Sequence, residues 1–306
     1  MIGIKAIGTY LPQGIISNFD LMEKHGIDEY FIKEKIGFES VSRKDSDEDT
    51  SDLAVKAIEN LISKSGILKD DIECLMLVTQ NPDLNIPHTS AIVHGKLELP
   101  RNCACWDVSL GCSGFVHGLS IAQAFMQMNG LTNGLLVTAD PYSKIMDPED
   151  KNTSLLFGDG ATATLLSSES PRFEIGKFTF GTIGKDHQNL ICHDHTLQMN
   201  GRAIFNFAAK NIPQDISLLL EKNELELAEI DRFIFHQGSK YLVDTLVKRI
   251  GLDASKVPFD ATEYGNIVSS SIPYILEKEF DTADKTYLIS GFGVGLSWSS
   301  TILKKL

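Results

Sequence analysis

Basic side chains are scarce in this sequence. Its 306 residues include 28 Lys and Arg against 41 Asp and Glu, which gives a formal net charge of −13. Because binding to a phosphate backbone depends on Lys and Arg, this balance argues against a nucleic-acid-binding protein. It still allows one local basic patch that binds an acidic carrier or cofactor.

Long apolar runs are missing as well. No run approaches the roughly 20 residues of a membrane-spanning helix. The first residues, MIGIKAIGTYLPQG, lack the apolar core of a signal peptide. We therefore expect no membrane association and a cytoplasmic location.

The cysteines are few and irregularly spaced. An odd number without regular spacing is a poor disulfide framework, so we expect reduced thiols. The densest set of possible metal ligands, Cys192-His193-Asp194-His195, consists of adjacent residues, which rarely converge on one ion, and no CxxC or HxxxH spacing accompanies it. We therefore expect a loop there and no metal. The five cysteines are Cys74, Cys103, Cys105, Cys112 and Cys192.

The apolar runs that the sequence does contain are short, and many end in a small or polar residue. Each has the length of a buried strand. Between several of them, apolar residues recur at helical spacing in 51–66, with Ser51 or Asp52 as the expected cap, and in 113–129. This alternation predicts an α/β fold with largely buried sheets. The strand-like runs are 72–80, 104–109, 134–140, 232–238 and 286–293.

A duplication is also indicated. Residues 155–166 and 288–306 both contain a Gly-rich turn followed by a β-type run. Two units of about 150 residues fit the usual domain size, so we predict similar halves at 1–167 and 168–306. The glycines of GDGATA (158–163) lack the pattern of a nucleotide loop and are expected to let backbone pass close to the reactive cysteine. The charged run 43–49 is expected to be a solvated loop or the approach to a helix, with no site implied.

The segment WDVSLGCSGF carries Cys112 in a turn between a strand and a helix. The carboxyl end of a strand is where open α/β sheets usually place ligands. A helix N-terminus favours the thiolate and is expected to lower the thiol pKa. A free cysteine is also commonly a small buried residue, so the local sequence leaves packing and nucleophilic roles open.

Two distant turns resemble the setting of Cys112. His236 ends the strand-like run RFIFH, and Asn266 ends a Tyr-Gly-Asn turn before a helical segment. Taken alone, each has an equally good structural role. Together, the three residues form a Cys/His/Asn set that suits acyl transfer through a thioester.

The ordered set of motifs resembles the β-ketoacyl-acyl-carrier-protein synthase III family of the thiolase superfamily over nearly the whole chain. The resemblance implies a thiolase-like fold: two similar α/β halves stacked as a five-layered αβαβα sandwich, usually in a homodimer. It implies a CoA thioester as substrate and no cofactor. The motifs are GCSGF (111–115), DPEDKNTSLLFGDGATA (147–163), MNGRAIFNFA (199–208), FHQGS (235–239), YGN (264–266) and GFGVGLSW (291–298).

The resemblance also implies roles for the three turns. Cys112 takes an acyl group, expected to be short, from acyl-CoA. His236 and Asn266 bind the thioester carbonyl of a malonyl-type substrate, expected on acyl carrier protein, and stabilise the enolate that forms as CO2 leaves. The backbone N–H groups of Cys112 and Val294 form the oxyanion hole for the acyl-cysteine carbonyl.

Further positions are implied by the same resemblance. Phe31, Lys35, Lys151 and Arg202 are expected to bind CoA. Ile86, Tyr142 and Phe157 are expected to shape the acyl pocket, with Ile86 donated by the partner subunit. Lys248 and Arg249 match a basic patch for the carrier protein, although a solvated helix end explains them equally well.

The chain departs from the family pattern near the second substrate. Ser239 stands where the family usually has asparagine, Tyr241 where arginine is common, and Asn206 where lysine is common. These changes leave two alternatives open: an acyltransferase that passes the acyl group to an oxygen or nitrogen acceptor, and a catalytically silent acyl-binding partner subunit. The intact Cys112, His236 and Asn266 set argues against the silent subunit.

Overall fold

Thirteen strands and eight α-helices make up the computed structural model, which describes residues 1–306. The strands are β1 Gly3–Tyr10, β2 Gly14–Ser17, β3 Ser40–Arg43, β4 Cys74–Val78, β5 Ala104–Val108, β6 Asn133–Ala139, β7 Ala161–Ser167, β8 Phe173–Thr182, β9 Leu190–His193, β10 Thr196–Met199, β11 Arg232–Phe235, β12 Thr286–Gly293 and β13 Ser297–Lys305. The helices are α1 Met22–His25, α2 Thr50–Ser65, α3 Thr89–Leu97, α4 Gly114–Asn129, α5 Lys151–Ser154, α6 Gly201–Asn223, α7 Lys240–Ile250 and α8 Ser271–Lys278. A π-helical turn covers Phe31–Ile36.

The two helices predicted from apolar spacing are confirmed as α2 and α4. The expected caps of α2 at Ser51 or Asp52 are wrong by two or three residues, because Asp49 caps the helix and forms a reciprocal capping box with Asp52. Gly66, the last residue of the predicted range 51–66, is the C-cap of the helix. Helix α4 begins two residues after Cys112, so the cysteine does lie at the amino end of a helix.

The large sheet has the strand order β11-β12-β13-β8-β1-β7-β6-β4-β5. Strands β4, β5 and β6 are parallel, whereas β7 and then β1 follow β6 antiparallel. On the other side, β11 and β12 are parallel, and β13 and then β8 continue antiparallel. The arrangement of the first part therefore recurs in the second with one parallel strand fewer, and a single residue pair, Ile4 with Phe173, joins the two parts of the sheet. The predicted boundary at 167/168 lies between β7 and β8; that each range forms its own domain stays a prediction.

Three hydrophobic clusters define the layers. The central cluster combines α4 and α8 with strands from both parts of the sheet. A second cluster packs α2 and α3 on the outer face of the first part. A third packs α6 and α7 on the outer face of the second part. The order is helix, sheet, helix, sheet, helix, so the predicted five-layered α/β architecture is confirmed.

The charged run 43–49 leads into α2 through the exposed residues 45–47, so the expected helix approach is confirmed, but Arg43 and Glu48 are not solvated. Arg43 ends β3, and its guanidinium donates hydrogen bonds to the carbonyls of Ser154 and Phe157. Glu48 is buried and binds Tyr10 and Lys56. The partners of Arg43 are backbone groups more than 100 residues away, which local charge density cannot reveal.

No helix combines the length and apolar character needed to cross a bilayer.

Candidate active site

The fold brings the three predicted chemical residues to one cavity of ≈ 330 Å³. Cys112 lies between β5 and α4, His236 directly follows β11, and Asn266 lies in the turn before α8. Their exposed fractions are 4%, 3% and 3%. The cysteine comes from the first part of the chain and the other two from the second, so the cavity is assembled at the junction of both parts.

Two backbone N–H groups face the sulfur of Cys112. They belong to Val294 and to Cys112 itself, and each acts to lower the pKa of the thiol. Gly293 makes this approach possible, because a Cβ at that position would lie 2.8 Å from the Cβ and 2.9 Å from the Sγ of Cys112. The pair predicted as an oxyanion hole is therefore directed at the place where an acyl-cysteine would form.

The predicted lowering of the Cys112 pKa is wrong. Burial, and then the charge of Asp140, raise the pKa of the thiol to about 12, against the opposing effect of the two N–H groups. A buried thiolate loses its hydration. Here the resulting loss of stability of the thiolate is larger than the stabilisation that the helix N-terminus and the two N–H groups provide. The resting cavity therefore holds a neutral thiol.

His236 is held as a neutral imidazole. Burial lowers the pKa of His236 to about 3, against a smaller opposing effect of the Val268 backbone. Its Nε2 lies 3.4 Å from the Nδ2 of Asn266, and its Nδ1 has no hydrogen-bond partner. The edge of the imidazole meets Phe292, with ring centres 5.8 Å apart. The ring is thus fixed mainly by packing, and because its Nδ1 is buried, the Nε2 beside Asn266 is the nitrogen left to contact a ligand.

Hydrogen bonds hold both the side chain and the backbone of Asn266 in place. Its Oδ1 accepts the N–H of Val268 at 2.9 Å, which leaves the Nδ2 donor directed toward His236. Its backbone N–H donates to the carbonyl of Leu156, and its carbonyl accepts from Gly158. The Nδ2 donor of Asn266 is therefore held in one orientation before any substrate binds, because the segment 156–158 anchors its backbone.

The GDGATA glycines support Asn266 and not the cysteine as predicted. A Cβ at Gly158 would overlap the carbonyl of Tyr264, and one at Gly160 would meet Ile267 at 3.2 Å. These glycines let the 158–160 backbone pass close to the turn that carries Asn266. The predicted close approach of the backbone exists, but the segment it approaches is the turn that carries Asn266, not the turn that carries Cys112.

An apolar group packs against Cys112. Tyr142 and Phe157, each 2% exposed, pack in one cluster with Cys112, and their ring centres are 4.8 Å apart. Ile86 is 82% exposed and lies outside the cavity of its own chain. Donation of Ile86 by a partner subunit stays a prediction.

The mouth of the cavity combines cations with stacked rings. Lys35 and Arg202 line it, and Phe205 stacks on Tyr241 with ring centres 5.3 Å apart. The Lys35 ammonium lies 4.5 Å from the centre of the Tyr241 ring. Tyr241, where the family commonly has arginine, therefore contributes an aromatic wall at the mouth.

Four other predicted binding residues lie away from this cavity. Phe31 opens the π-helical turn and packs half-buried beside a small apolar cluster, whereas Lys151 is exposed at the start of α5. Lys248 and Arg249 are exposed in the last turn of α7, where Arg249 donates to the carbonyl of Ala209. Their roles in binding stay predictions.

Asp140 belongs to this site and was not predicted. It is 1% exposed, and its Oδ1 accepts from the Nδ2 of Asn81 at 2.7 Å and from the backbone N–H of Gln80 at 3.0 Å. Burial raises the pKa of Asp140 to about 7. Asp140 ends the run 134–140, so the strand-end argument that selected His236 would have found it.

Within the set 192–195, Cys192 and His193 end β9, and Asp194 and His195 form the turn of the β9–β10 hairpin. These four residues are exposed, and His193 contacts Asp194. No group of three or more His, Cys, Asp or Glu side chains converges to hold a metal ion. The predicted loop is confirmed only for Asp194 and His195, because Cys192 and His193 are paired with β10.

Comparison with known proteins points to one family. The family model described as 3-oxoacyl-[acyl-carrier-protein (ACP)] synthase III matches residues 106–184, and its C-terminal counterpart matches residues 220–305. The β-ketoacyl-[acyl-carrier-protein] synthase III of Streptococcus sanguinis is 32% identical over 320 residues, with 98% of each chain covered. That of Caldanaerobacter subterraneus is 31% identical over 322 residues, covering 99% of this chain and 97% of the relative.

Solved structures agree with this result. A 2.1 Å crystal structure of a 3-oxoacyl-(acyl-carrier-protein) synthase III superposes with a TM-score of 0.94 at 30% identity, with 99% of each chain covered. The corresponding enzyme of Aquifex aeolicus superposes with a TM-score of 0.93 at 25% identity, covering 99% of this chain and all of that one.

Proposed function

The chain belongs to the β-ketoacyl-[acyl-carrier-protein] synthase III family of acyl-transferring condensing enzymes with a thiolase fold, and on that premise we propose that it joins a short acyl group to a malonyl thioester. The observation that carries the proposal is the convergence on one buried cavity of Cys112, two backbone N–H groups, His236 and Asn266.

The first half-reaction acylates Cys112. The sulfur attacks the carbonyl of an acyl-CoA, and the N–H groups of Cys112 and Val294 stabilise the oxyanion. The bond to CoA then breaks, and CoA leaves as its thiol with the proton that the cysteine has lost. CoA acts here as the leaving group of a substrate, so this scheme needs no cofactor.

The second half-reaction forms the carbon–carbon bond. His236 and the Nδ2 of Asn266 bind the thioester carbonyl of a malonyl group. The bond to the carboxylate breaks, CO2 leaves, and its electron pair forms an enolate at that carbonyl. The enolate carbon attacks the acyl-cysteine, and Cys112 leaves as a thiolate and regains a proton. The product is a 3-oxoacyl thioester. A neutral His236 suits this role because a dry, preorganised donor needs no solvent reorganisation.

An acyl carrier protein is the proposed bearer of the malonyl group. Lys35 and Arg202 at the cavity mouth, with Lys248 and Arg249 on α7, supply local positive charge on a chain of net charge −13. Such a patch attracts an acidic partner despite the overall negative charge. We propose the cytoplasm as the location.

We also propose a homodimer that pairs at β5. This strand ends the sheet, and all five of its residues are only half-buried. Its Asp107 accepts the N–H groups of Thr89 and Ser90, which fixes the loop that exposes Ile86 beside this edge. An unpaired strand edge is a ready template for a second chain.

A second candidate function is acyl transfer to an oxygen or nitrogen acceptor without decarboxylation. Ser239 favours it, because its hydroxyl caps α7 by accepting the N–H of Leu242 at 3.3 Å. A serine that is used as a cap does not supply the amide that the family usually places beside the His/Asn pair. A silent acyl-binding subunit is opposed by the complete arrangement around Cys112.

The test separates the two half-reactions. Acyl-CoAs are added to the protein and the mass of the intact chain is measured; malonyl carrier protein is then supplied and released CO2 is followed. We expect an adduct that Cys112→Ala abolishes, followed by CO2. Acylation without CO2 would favour the oxygen or nitrogen acceptor, and no adduct would refute the nucleophile.

Matched variants test the His/Asn pair. His236→Ala and Asn266→Ala should each lower CO2 release by about two to three orders of magnitude, the usual effect of losing one oxyanion donor, while acylation is largely kept. Equal losses in both half-reactions would contradict the assigned roles.

A further inference from the structure

The segment 156–158 contacts Asn266 on one of its two sides. The carbonyl of Leu156 accepts the N–H of Asn266 at 2.8 Å, and the N–H of Gly158 donates to the Asn266 carbonyl at 3.0 Å. Because successive carbonyls of an extended segment point to opposite sides, the carbonyl of Phe157 faces away from Asn266. The group that binds this carbonyl therefore helps to set where Asn266 lies.

Arg43, the last residue of β3, binds the carbonyl of Phe157. Its guanidinium donates to this carbonyl and, at 3.1 Å, to the carbonyl of Ser154. A third hydrogen bond of 3.0 Å goes to the carbonyl of Ser42 in its own strand. Ser154 ends α5, so its carbonyl has no partner within that short helix. One planar cation thus joins β3, the end of α5 and the segment beside Asn266.

The preceding residue of β3, Ser42, contacts the same region. The N–H of Ser42 donates to the carbonyl of Tyr264 at 3.0 Å, and its carbonyl accepts the N–H of Asp159 at 3.0 Å. Its hydroxyl donates to the carbonyl of Asp159 at 2.6 Å. The end of β3 therefore contacts both segments that position Asn266, whereas none of these hydrogen bonds involves Cys112.

We propose that Arg43 is a positioning residue for the second half-reaction: it holds the carbonyl of Phe157, so that the Nδ2 of Asn266 stays directed at the thioester carbonyl of the malonyl group. The inference rests on the proposed function, because it deepens the role of Asn266 in that reaction. Arg43 does not line the cavity. It acts through the backbone that carries the donor.

The guanidinium suits this position because its planar N–H groups bind two carbonyls at once, which the ammonium of a lysine does less well. Ser154 and Phe157 are 6% and 2% exposed, so without Arg43 their carbonyls lose a donor that water does not readily replace. The segment then shifts toward another donor, and Asn266 moves with it because the two are hydrogen-bonded. A displacement of about 1 Å is enough to lower a rate by about two orders of magnitude.

The experiment measures CO2 release from malonyl carrier protein and, separately, Cys112 acylation by intact mass. Arg43→Met should lower CO2 release by about 10- to 100-fold and change acylation by less than about threefold. Arg43→Lys keeps the charge and one donor, so its CO2 release should lie between those of Arg43→Met and the wild type. Arg172→Met is the matched control: Arg172 also donates to a backbone carbonyl, that of Phe280, but neither residue lines the cavity, and CO2 release should be unchanged.

A double variant separates positioning from a general loss of structure. If Arg43 acts through Asn266, adding Arg43→Met to Asn266→Ala should lower CO2 release by less than about a further threefold, because the donor that Arg43 positions is already absent. Thermal unfolding shows whether each variant is folded, and Arg43→Gln replaces Arg43→Met if the methionine variant is not.

Three results would overturn this inference and leave the proposed function standing. They are a folded Arg43 variant that releases CO2 at the wild-type rate, one that loses both half-reactions to the same extent, and a double variant in which the two single effects multiply. A wild-type protein that is acylated on Cys112 but releases no CO2, or that is not acylated at all, would refute the proposed function and this inference with it.

Discussion

A buried thiol close to a buried carboxyl makes the reactivity of Cys112 depend on pH. Its pKa of about 12 lies far above neutrality, and the charge of Asp140 contributes to that rise. Only the thiolate is a nucleophile, so the reactive fraction grows with pH over the whole neutral range. Acylation therefore depends on the carbonyl oxygen of the substrate accepting hydrogen bonds from the N–H groups of Cys112 and Val294 while the thiol loses its proton.

Alkylation of Cys112 by iodoacetamide should accelerate with pH from about pH 6 to pH 9 without a plateau, by up to about tenfold per pH unit and by less near pH 7, where Asp140 becomes charged. Asp140→Asn should raise the rate above about pH 7, where the wild-type carboxyl is charged, and match the wild type at lower pH. Peptide mass spectrometry measures modification at Cys112, and the exposed Cys192 gives an internal control. A plateau near neutral pH would contradict the raised thiol pKa.

Asp140 should also make stability depend on pH. Burial raises its folded-state pKa from 3.8 to about 7, so the folded chain holds this proton more tightly than the unfolded chain does. The corresponding stability is fully present below about pH 4, falls as pH rises to about 7, and then levels off, a change of a few kcal/mol.

Urea unfolding at several pH values tests this expectation. Asp140→Asn keeps an acceptor for Gln80 and Asn81 but cannot titrate, so it should remove this part of the pH dependence. A wild-type unfolding free energy that rises over the same interval, with no difference in the variant, would show that Asp140 is ionised in the folded protein.

At the scale of the elements, the sequence identified Cys112, His236 and Asn266 because each follows a short apolar run or opens a helix. That rule depends only on local pattern, and the parallel strands of an α/β sheet bring such positions together. This rule did not identify Arg43 and Gln80, because their contacts are with segments that are distant in the sequence. The predicted direction of the Cys112 pKa shift was also wrong, because burial depends on the whole folded protein and cannot be inferred from the sequence of the turn.

Gly293, at the end of β12, lets this strand approach Cys112 closely. Gly293→Ala should reduce Cys112 acylation by at least about tenfold, because the added Cβ would lie within 3 Å of both Cβ and Sγ of the cysteine and would displace the Val294 N–H. Gly184→Ala is the matched control, since its Cβ would meet nothing within 4 Å. The intact-mass assay compares both variants, and equal rates would show that the strand end can shift without cost.

At the scale of the whole molecule, the proposed homodimer predicts a hybrid active site. Cys112→Ala and Ile86→Asp chains should each be poorly active alone, the second because a charge enters an apolar pocket. Co-expressed, they should recover about a quarter of wild-type activity, since half of the dimers are hybrids with one complete site each.

Sedimentation provides the accompanying measurement. The assembled protein should have twice the chain mass of 33.7 kDa. Hybrid dimers without recovered activity would show that Ile86 acts within its own chain or not at all, and a monomer that is active would remove the dimer from the mechanism.

In the large sheet the strands of the two parts are paired at only one residue couple, Ile4 and Phe173, yet α4 and α8 share one core with strands from both sides. Such a core should melt as one cooperative unit, since neither side keeps its central helix covered without the other. If the backbone were cut in the turn 168–172, each fragment would expose an apolar face that only the other fragment covers. Because Cys112 lies on one fragment and His236 on the other, release of CO2 would directly report the reassembly of a split protein.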